Sequence, residues 1–251
     1  MVWAIKFLSD FNEFFPQGDF KGYHEAMAAH YQAEIRPSKI SRTGSAFIFT
    51  KEAPLDGDGK PYEVFSSYAL DVSEKFHAPI GEPRPHRARL LPVQPHEWPQ
   101  EYVYERVYKR RASIVQLPDR MFAVEDDLRN LIEALEPGIH SFNPIRMTLP
   151  KGVEHPIQHH MMIVGRWLHS FRMDLSDESF LRKSIEGSAS FRAPPTGNVA
   201  HVAMDSAVIG DAHIWCERRL IGPYFYISDT LHDEAVKLGL RLPKQFKLMA
   251  V

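Results

Sequence analysis

A chain of 251 residues can bury the core of one large domain or two small ones without staples, and 44% hydrophobic with 25% charged residues excludes a disordered or fibrous protein. A formal net charge of −2 creates no global field that would draw the chain to nucleic acid or to an anionic membrane. The lone Cys216 can close no internal disulfide, and Asp10 and Glu13 interrupt the apolar N-terminus before a signal-type run forms, so a soluble, cytoplasmic protein is expected.

Residues 23–35 carry a helical pattern that Pro37 ends. The β-prone runs 46–50 and 62–68 flank the turn-rich segment 54–61, which predicts a hairpin. Over 78–99, Pro79, Pro83, Pro85, Pro92, Pro95 and Pro99 remove too many backbone donors for a helix or central strand, which predicts a linker or extended arm. It divides a smaller N-terminal α+β region, 1–77, from a larger α+β domain, 100–251.

In that larger part, 102–117 alternates loosely around Lys109-Arg110-Arg111 and reads as a half-buried strand with a charged outer face. A short strand at 121–124 feeds a helix whose apolar face is Val124, Leu128, Leu131, Ile132 and Leu135; Glu125, Asp126 and Asp127 suit its first turn and Pro137-Gly138 stops it. Strands follow at 142–149 and at 161–171, the latter interrupted by Gly165 and Arg166 and too short to span a membrane. Residues 174–183 are a polar loop or short helix and 193–198 a Pro-Gly turn. Strands at 199–204 and 214–216 surround a turn at Gly210-Asp211. A strand at 224–227 leads through the N-cap Ser228 into a helix over 229–238, with Leu231, Ala235 and Leu238 buried, Lys237 in the last turn and Gly239 in the left-handed position. Helices and strands mix without a βαβ rhythm, so the fold class is α+β: a mixed or antiparallel sheet with a few packed helices.

Motifs that carry chemistry are weak. His155 and His159 have the i, i+4 spacing of zinc ligands on a helix, with His160 beside them. But Pro156 follows the first, no glutamate takes the general-base position and no cysteine pair is near, which favours a solvated polar loop. The acidic turn Asp56-Gly57-Asp58-Gly59 opens like a calcium loop, then fails at Lys60, Pro61 and Ser67. Neither Gly44-Ser45 nor Gly187-Ser188 completes a nucleophile elbow, and Cys216 beside Trp215 reads as a buried, inert thiol. Tyr102, Tyr104 and Tyr108 before the basic cluster could stack bases, but Glu101 and Glu105 dilute the charge. These residues assign no catalytic group, metal or cofactor.

Three blocks in order are more specific. The first is Arg120-Met121-Phe122-Ala123-Val124 with the acidic helix start and Leu131-Ile132-Glu133-Ala134-Leu135-Glu136-Pro137-Gly138, leading into Phe142-Asn143-Pro144-Ile145. The second is Trp167-Leu168-His169-Ser170-Phe171 with Asp174-Leu175-Ser176-Asp177. The third runs from Val199 through Asp205-Ser206-Ala207-Val208-Ile209-Gly210, His213-Ile214-Trp215, Arg219-Leu220 and Phe225-Tyr226-Ile227-Ser228-Asp229 to Ala235 and Gly239-Leu240. Together they resemble the bacterial immunity protein eleven family of polymorphic toxin systems. One departure is Glu125, where a serine cap on the first helix of the pattern is expected.

The resemblance implies an antidote, not an enzyme: a protein that binds a cognate toxin delivered by secretion or by contact, as in type VI secretion, and covers its active site. If that toxin is a nuclease its groove is basic, and the antidote should present carboxylates. Asp174, Asp177 and Glu178, with Glu125, Asp126 and Asp127, are the candidates, against the simpler readings of a solvated loop and of helix-dipole complementation. Two alternatives stay open, a metal-dependent hydrolase built on His155, His159 and His160, and a small-ligand-binding regulatory module marked by a large apolar pocket. A homodimer also stays open, though no heptad array argues for it; neither direct nucleic-acid binding nor membrane insertion is expected.

Overall fold

The structure is a computed structural model that describes residues 1–7, 10–35, 62–77, 91–177, 179, 181–183, 189–191, 202–221 and 225–251. Among these, two large mixed sheets carry the architecture. The first runs in the order Phe171–Arg172 (β10), Ala203–Met204 (β13), Lys244–Ala250 (β17), Val2–Lys6 (β1), Phe225–Ser228 (β16), Ile214–Glu217 (β14) and Trp167–Leu168 (β9). The second runs Gly18–Phe20 (β2), Glu101–Tyr104 (β3), Ser141–Leu149 (β6), His159–Ile163 (β8), Phe122–Glu125 (β5) and Ile114–Gln116 (β4), with Val153–Glu154 (β7) paired to β6. Leu181–Lys183 (β11), Ala189–Phe191 (β12) and Leu220–Ile221 (β15) form a small third sheet. Helices accompany the sheets, so the class is α+β: α1 (Tyr23–His30, continued by a wider π-type turn), α2 (Tyr62–Lys75), α3 (Asp126–Leu135), α4 (Ser206–Ile209) and α5 (Asp229–Lys237).

The inner strands are buried on both faces, so their two-residue period divides side chains between separate cores. Phe122 and Val124 of β5, Met162 of β8, Ile214 and Cys216 of β14 and Phe225 and Ile227 of β16 meet Leu128 and Ile132 of α3 and Leu231 of α5 in one shared core. Ala123 and Met161 point the other way, toward Tyr23, Met27, Val72 and Phe76 of the α1–α2 layer. Trp215 and Tyr226 likewise leave the shared core for the outer face of the first sheet.

Strand pairing runs across the 78–99 segment. β1 lies between β16 and β17, with Trp3 opposite Ile227 on one side and Lys247 on the other, and β2 pairs with β3. Residues 78–90 lie outside the described residues; beyond them, 91–99 is extended around a short turn at Pro95–Glu97. There the Glu97 carboxylate accepts the Gln94 N–H and a Lys75 ammonium pair at 2.6 and 2.7 Å, pinning α2 to this segment.

Four expectations need correction. Residues 62–68 are the first half of α2, not a strand: Tyr68, Val72 and Phe76, which pack it against the neighbouring core, recur at helical spacing. The proposed partner strand 46–50 and its turn lie outside the described residues. Residues 102–117 are two strands separated by an irregular segment carrying Lys109, Arg110 and Arg111, because Ser113 is claimed by Arg241 and Glu125 through backbone and hydroxyl hydrogen bonds. The run 161–171 breaks into β8, β9 and β10 around Gly165, where the Ile139 carbonyl oxygen comes within 1.9 Å of where a Cβ would stand. Leu238 is 59% exposed, since α5 ends at Lys237 and Gly239 turns the chain at φ +71. The other helix ends follow their residues: Ser228 Oγ accepts the Leu231 N–H at 3.1 Å, whereas Glu125 makes no capping hydrogen bond on α3.

Candidate functional site

A strand sends successive side chains to opposite faces. His159 and His160 sit side by side on β8 and therefore part: His160 Nε2 lies 2.6 Å from Asp126 Oδ1 at the start of α3, while the His159 ring turns toward β3. His155, in the turn before β8, packs edge-on to His159 at 4.8 Å. Neither the helical pair the spacing suggested nor the solvated loop preferred to it is present: His159 and His160 are buried on β8, and His160 faces away from the other two. Among the described residues no group of three or more His, Cys, Asp or Glu is arranged to hold a metal ion.

His155 and His159 belong instead to a cleft of about 250 Å³ walled by Tyr104, Tyr108 and the Lys109–Arg111 segment. Tyr104 stacks on His155 at 6.1 Å and meets Tyr108 at 6.4 Å. The Tyr108 hydroxyl accepts the Gln17 N–H at 2.8 Å and Arg106 Nε–H at 2.9 Å, which fixes that ring. Glu13 also lines the cleft, but its carboxylate accepts from Arg241 at 2.8 Å, and that hydrogen bond holds its pKa below the usual range. A second cleft of about 400 Å³ continues past His155 and Pro156, lined by Arg146, Glu154 and Gln158.

Two polar groups carried on largely buried rings open into the first cleft. Tyr104 is 7% exposed and His159 is 2% exposed; His159 Nδ1 lies 2.9 Å from the Ile157 carbonyl, to which it can donate. The Tyr104 hydroxyl and His159 Nε2 have no hydrogen-bond partner among the described residues. Burial pushes the His159 pKa down to about 4, helped by the neighbouring His155, and raises that of the Tyr104 phenol. Near neutral pH His159 therefore offers Nε2 as an acceptor and Tyr104 offers a donor. Lys109, Arg110 and Arg111 are exposed and make no ion pair among the described residues.

The carboxylates singled out in the sequence fall in two places on different sheets. Glu125 is buried opposite His159, Asp126 contacts His160, and Asp127 is exposed on α3. Asp174 is held by Arg172 at 2.7 Å, a hydrogen bond that lowers its pKa, and the same guanidinium reaches Asp205. Asp177 is exposed and accepts the Ser179 N–H at 2.8 Å; Glu178 lies outside the described residues.

Two buried carboxylates that sequence reasoning missed do much of the fastening. Glu136, just past α3, accepts the Ile214 N–H of β14 at 2.8 Å, contacts His140 Nε2 at 3.0 Å and lies 2.5 Å from Arg166 Nε. Glu217 accepts the Ser170 N–H and hydroxyl, both at 2.7 Å, and the Arg219 N–H at 3.0 Å. The signal was an acid at the end of a helix or strand, a pattern without meaning until its partners from distant segments are known. The Cys216 thiol is buried and its pKa raised by that burial.

A family model described as Immunity protein family (Imm11) matches residues 68–247, from within α2 into β17, covering both large sheets except β1 and β2. No curated protein matches the chain.

Proposed function

Because the chain belongs to the Imm11 immunity protein family, we propose that it protects its cell by binding a cognate toxin in the cytoplasm and occluding the toxin's active site stoichiometrically. The observation that carries this reading is the extent of the family match, which takes in both sheets apart from β1 and β2 and most of the core they share. The use of the reactive side chains supports it. Glu136 and Glu217 satisfy backbone N–H groups, His160 contacts Asp126, and Cys216 is a buried thiol with a raised pKa, all of which suits a rigid binding body.

Occlusion needs an interface of more than about 1,000 Å² with a few dominant anchors. For a nuclease toxin with a basic groove, Asp127 and Asp177 are the exposed members of the candidate set, Asp177 already accepting the Ser179 N–H, while Asp126 and Asp174 face a histidine and an arginine. Co-expression with the toxin of the neighbouring reading frame tests the reading: growth should be restored and the two chains should copurify in fixed stoichiometry. Failure to form a complex, or turnover of a substrate by the isolated chain, would overturn it.

A further inference from the structure

We propose that the cleft between Tyr104, the Lys109–Arg111 segment and the His155–His159 pair is the anchor pocket for an acidic segment of the toxin; this rests on the immunity reading above. Charge is the first argument. A chain of net charge −2 concentrates Lys109, Arg110 and Arg111 on one wall, and the acid sharing the cleft, Glu13, is already engaged by Arg241. Exposed cations that close no ion pair favour an anionic visitor at a concave site and speed its capture, even though Arg110 lies within electrostatic reach of Glu13.

The floor makes the second argument. A phenol donor and an imidazole acceptor carried on otherwise buried rings open to the cleft in fixed positions, so a visitor can replace the water on both at small ordering cost. A peptide segment supplies both complements: a carboxylate or carbonyl for the Tyr104 hydroxyl and an N–H for His159 Nε2. Tyrosine and arginine are also the side chains that most often carry binding energy at protein interfaces. The adjoining cleft past His155 and Pro156 extends the groove, giving a segment a path beyond a single side chain.

The test uses the full chain and the toxin of the neighbouring reading frame, with affinity and association rate measured at several salt concentrations. The triple reversal K109E/R110E/R111E, all on exposed residues, should weaken binding by roughly 100-fold or more and invert the salt dependence of association, added salt then speeding it. Tyr104→Phe keeps the ring and removes the hydroxyl, and should cost about tenfold in affinity with unchanged thermal stability. Wild-type affinity for both variants would overturn the pocket while leaving the immunity reading intact; absence of binding by the wild-type chain would instead remove that reading. Tight binding of free ATP by the isolated chain, lost in the triple reversal, would also overturn the proposal by giving the cleft a small-molecule occupant.

Discussion

Removing the Glu136 carboxylate should be among the most damaging single changes. The side chain is 1% exposed and its partners are a backbone N–H of β14, the fully buried His140 and the quarter-exposed Arg166. The Gly165 N–H donates to His140 Nδ1, so His140 Nε2–H is the donor to Glu136. In Glu136→Ala, Ile214 N–H and His140 Nε2–H lose a charged acceptor at about 1.5–3 kcal/mol each, whereas Arg166 can turn to water and adds less than about 1 kcal/mol. A loss of about 3–5 kcal/mol follows, a fall in Tm of roughly 6–20 °C for a domain of this size. Glu136→Gln keeps the shape and one acceptor and should lose about half as much. Burial pushes the Glu136 pKa up, but the hydrogen bonds from His140 and Ile214 outweigh it and hold the group below its ordinary 4.5. Its contribution is therefore complete above that value and disappears as pH falls through the lower folded value. Urea unfolding followed by circular dichroism, wild type against both variants, measures this. A cost below about 1 kcal/mol for Glu136→Ala would show that the junction does not hold α3 to the first sheet.

His159 should show the opposite acid behaviour from an ordinary surface histidine. Below 6.5 the unfolded chain takes up a proton that the folded ring refuses until about 4, so stability falls across that window, by about 2 kcal/mol at about pH 5, and His159→Gln should flatten the profile; an imidazole titrating near 6.5 by NMR would contradict this. Gly165→Ala drives a Cβ against the Ile139 carbonyl and should cost about 3 kcal/mol, read as a lowered urea midpoint. Ser228→Ala removes the cap of α5 and the contact to His213 and should lower Tm by about 2–4 °C; an unchanged Tm would deny the cap its role. Cys216 should be inert to a thiol reagent in the native chain and react once in denaturant.

What could be read in the sequence was what neighbours along the chain decide. α3 and α5 show because a single buried stripe, acids in the first turn and a Pro-Gly or Gly stop act within a few residues of each other. The strand at 214–217 shows because a short apolar run between turns has few other uses. The start of α2 reads as a strand because its first two turns are rich in aromatic and β-branched residues. Leu238 fits the stripe of α5 by period, yet the helix ends one residue earlier and leaves it in solvent. The candidate cleft was present as separate weak signals: tyrosines at 102–108, a basic run and a histidine cluster. Pairing of β3 with β6 and of β6 with β8 brings them together, which no spacing rule could reveal.

The blocks that carry the family resemblance are largely consumed by the interior. Leu128, Ile132, Ile214, Phe225, Ile227 and Leu231 fill the shared core, Glu136 ties α3 to β14, Ser170 answers Glu217, and Asp205 and Ser228 cap helices. A signature of that kind specifies a scaffold, and recognition of one toxin over another must be written on residues the scaffold leaves free. Lys109, Arg110 and Arg111 are such residues: they stand outside the blocks, on an irregular segment between β3 and β4 whose ends are fixed by Tyr108 and Ser113. Charge on a surface segment held at both ends can change without disturbing the core. An immunity scaffold that must follow its toxin could place its variable contacts there at small cost to the fold.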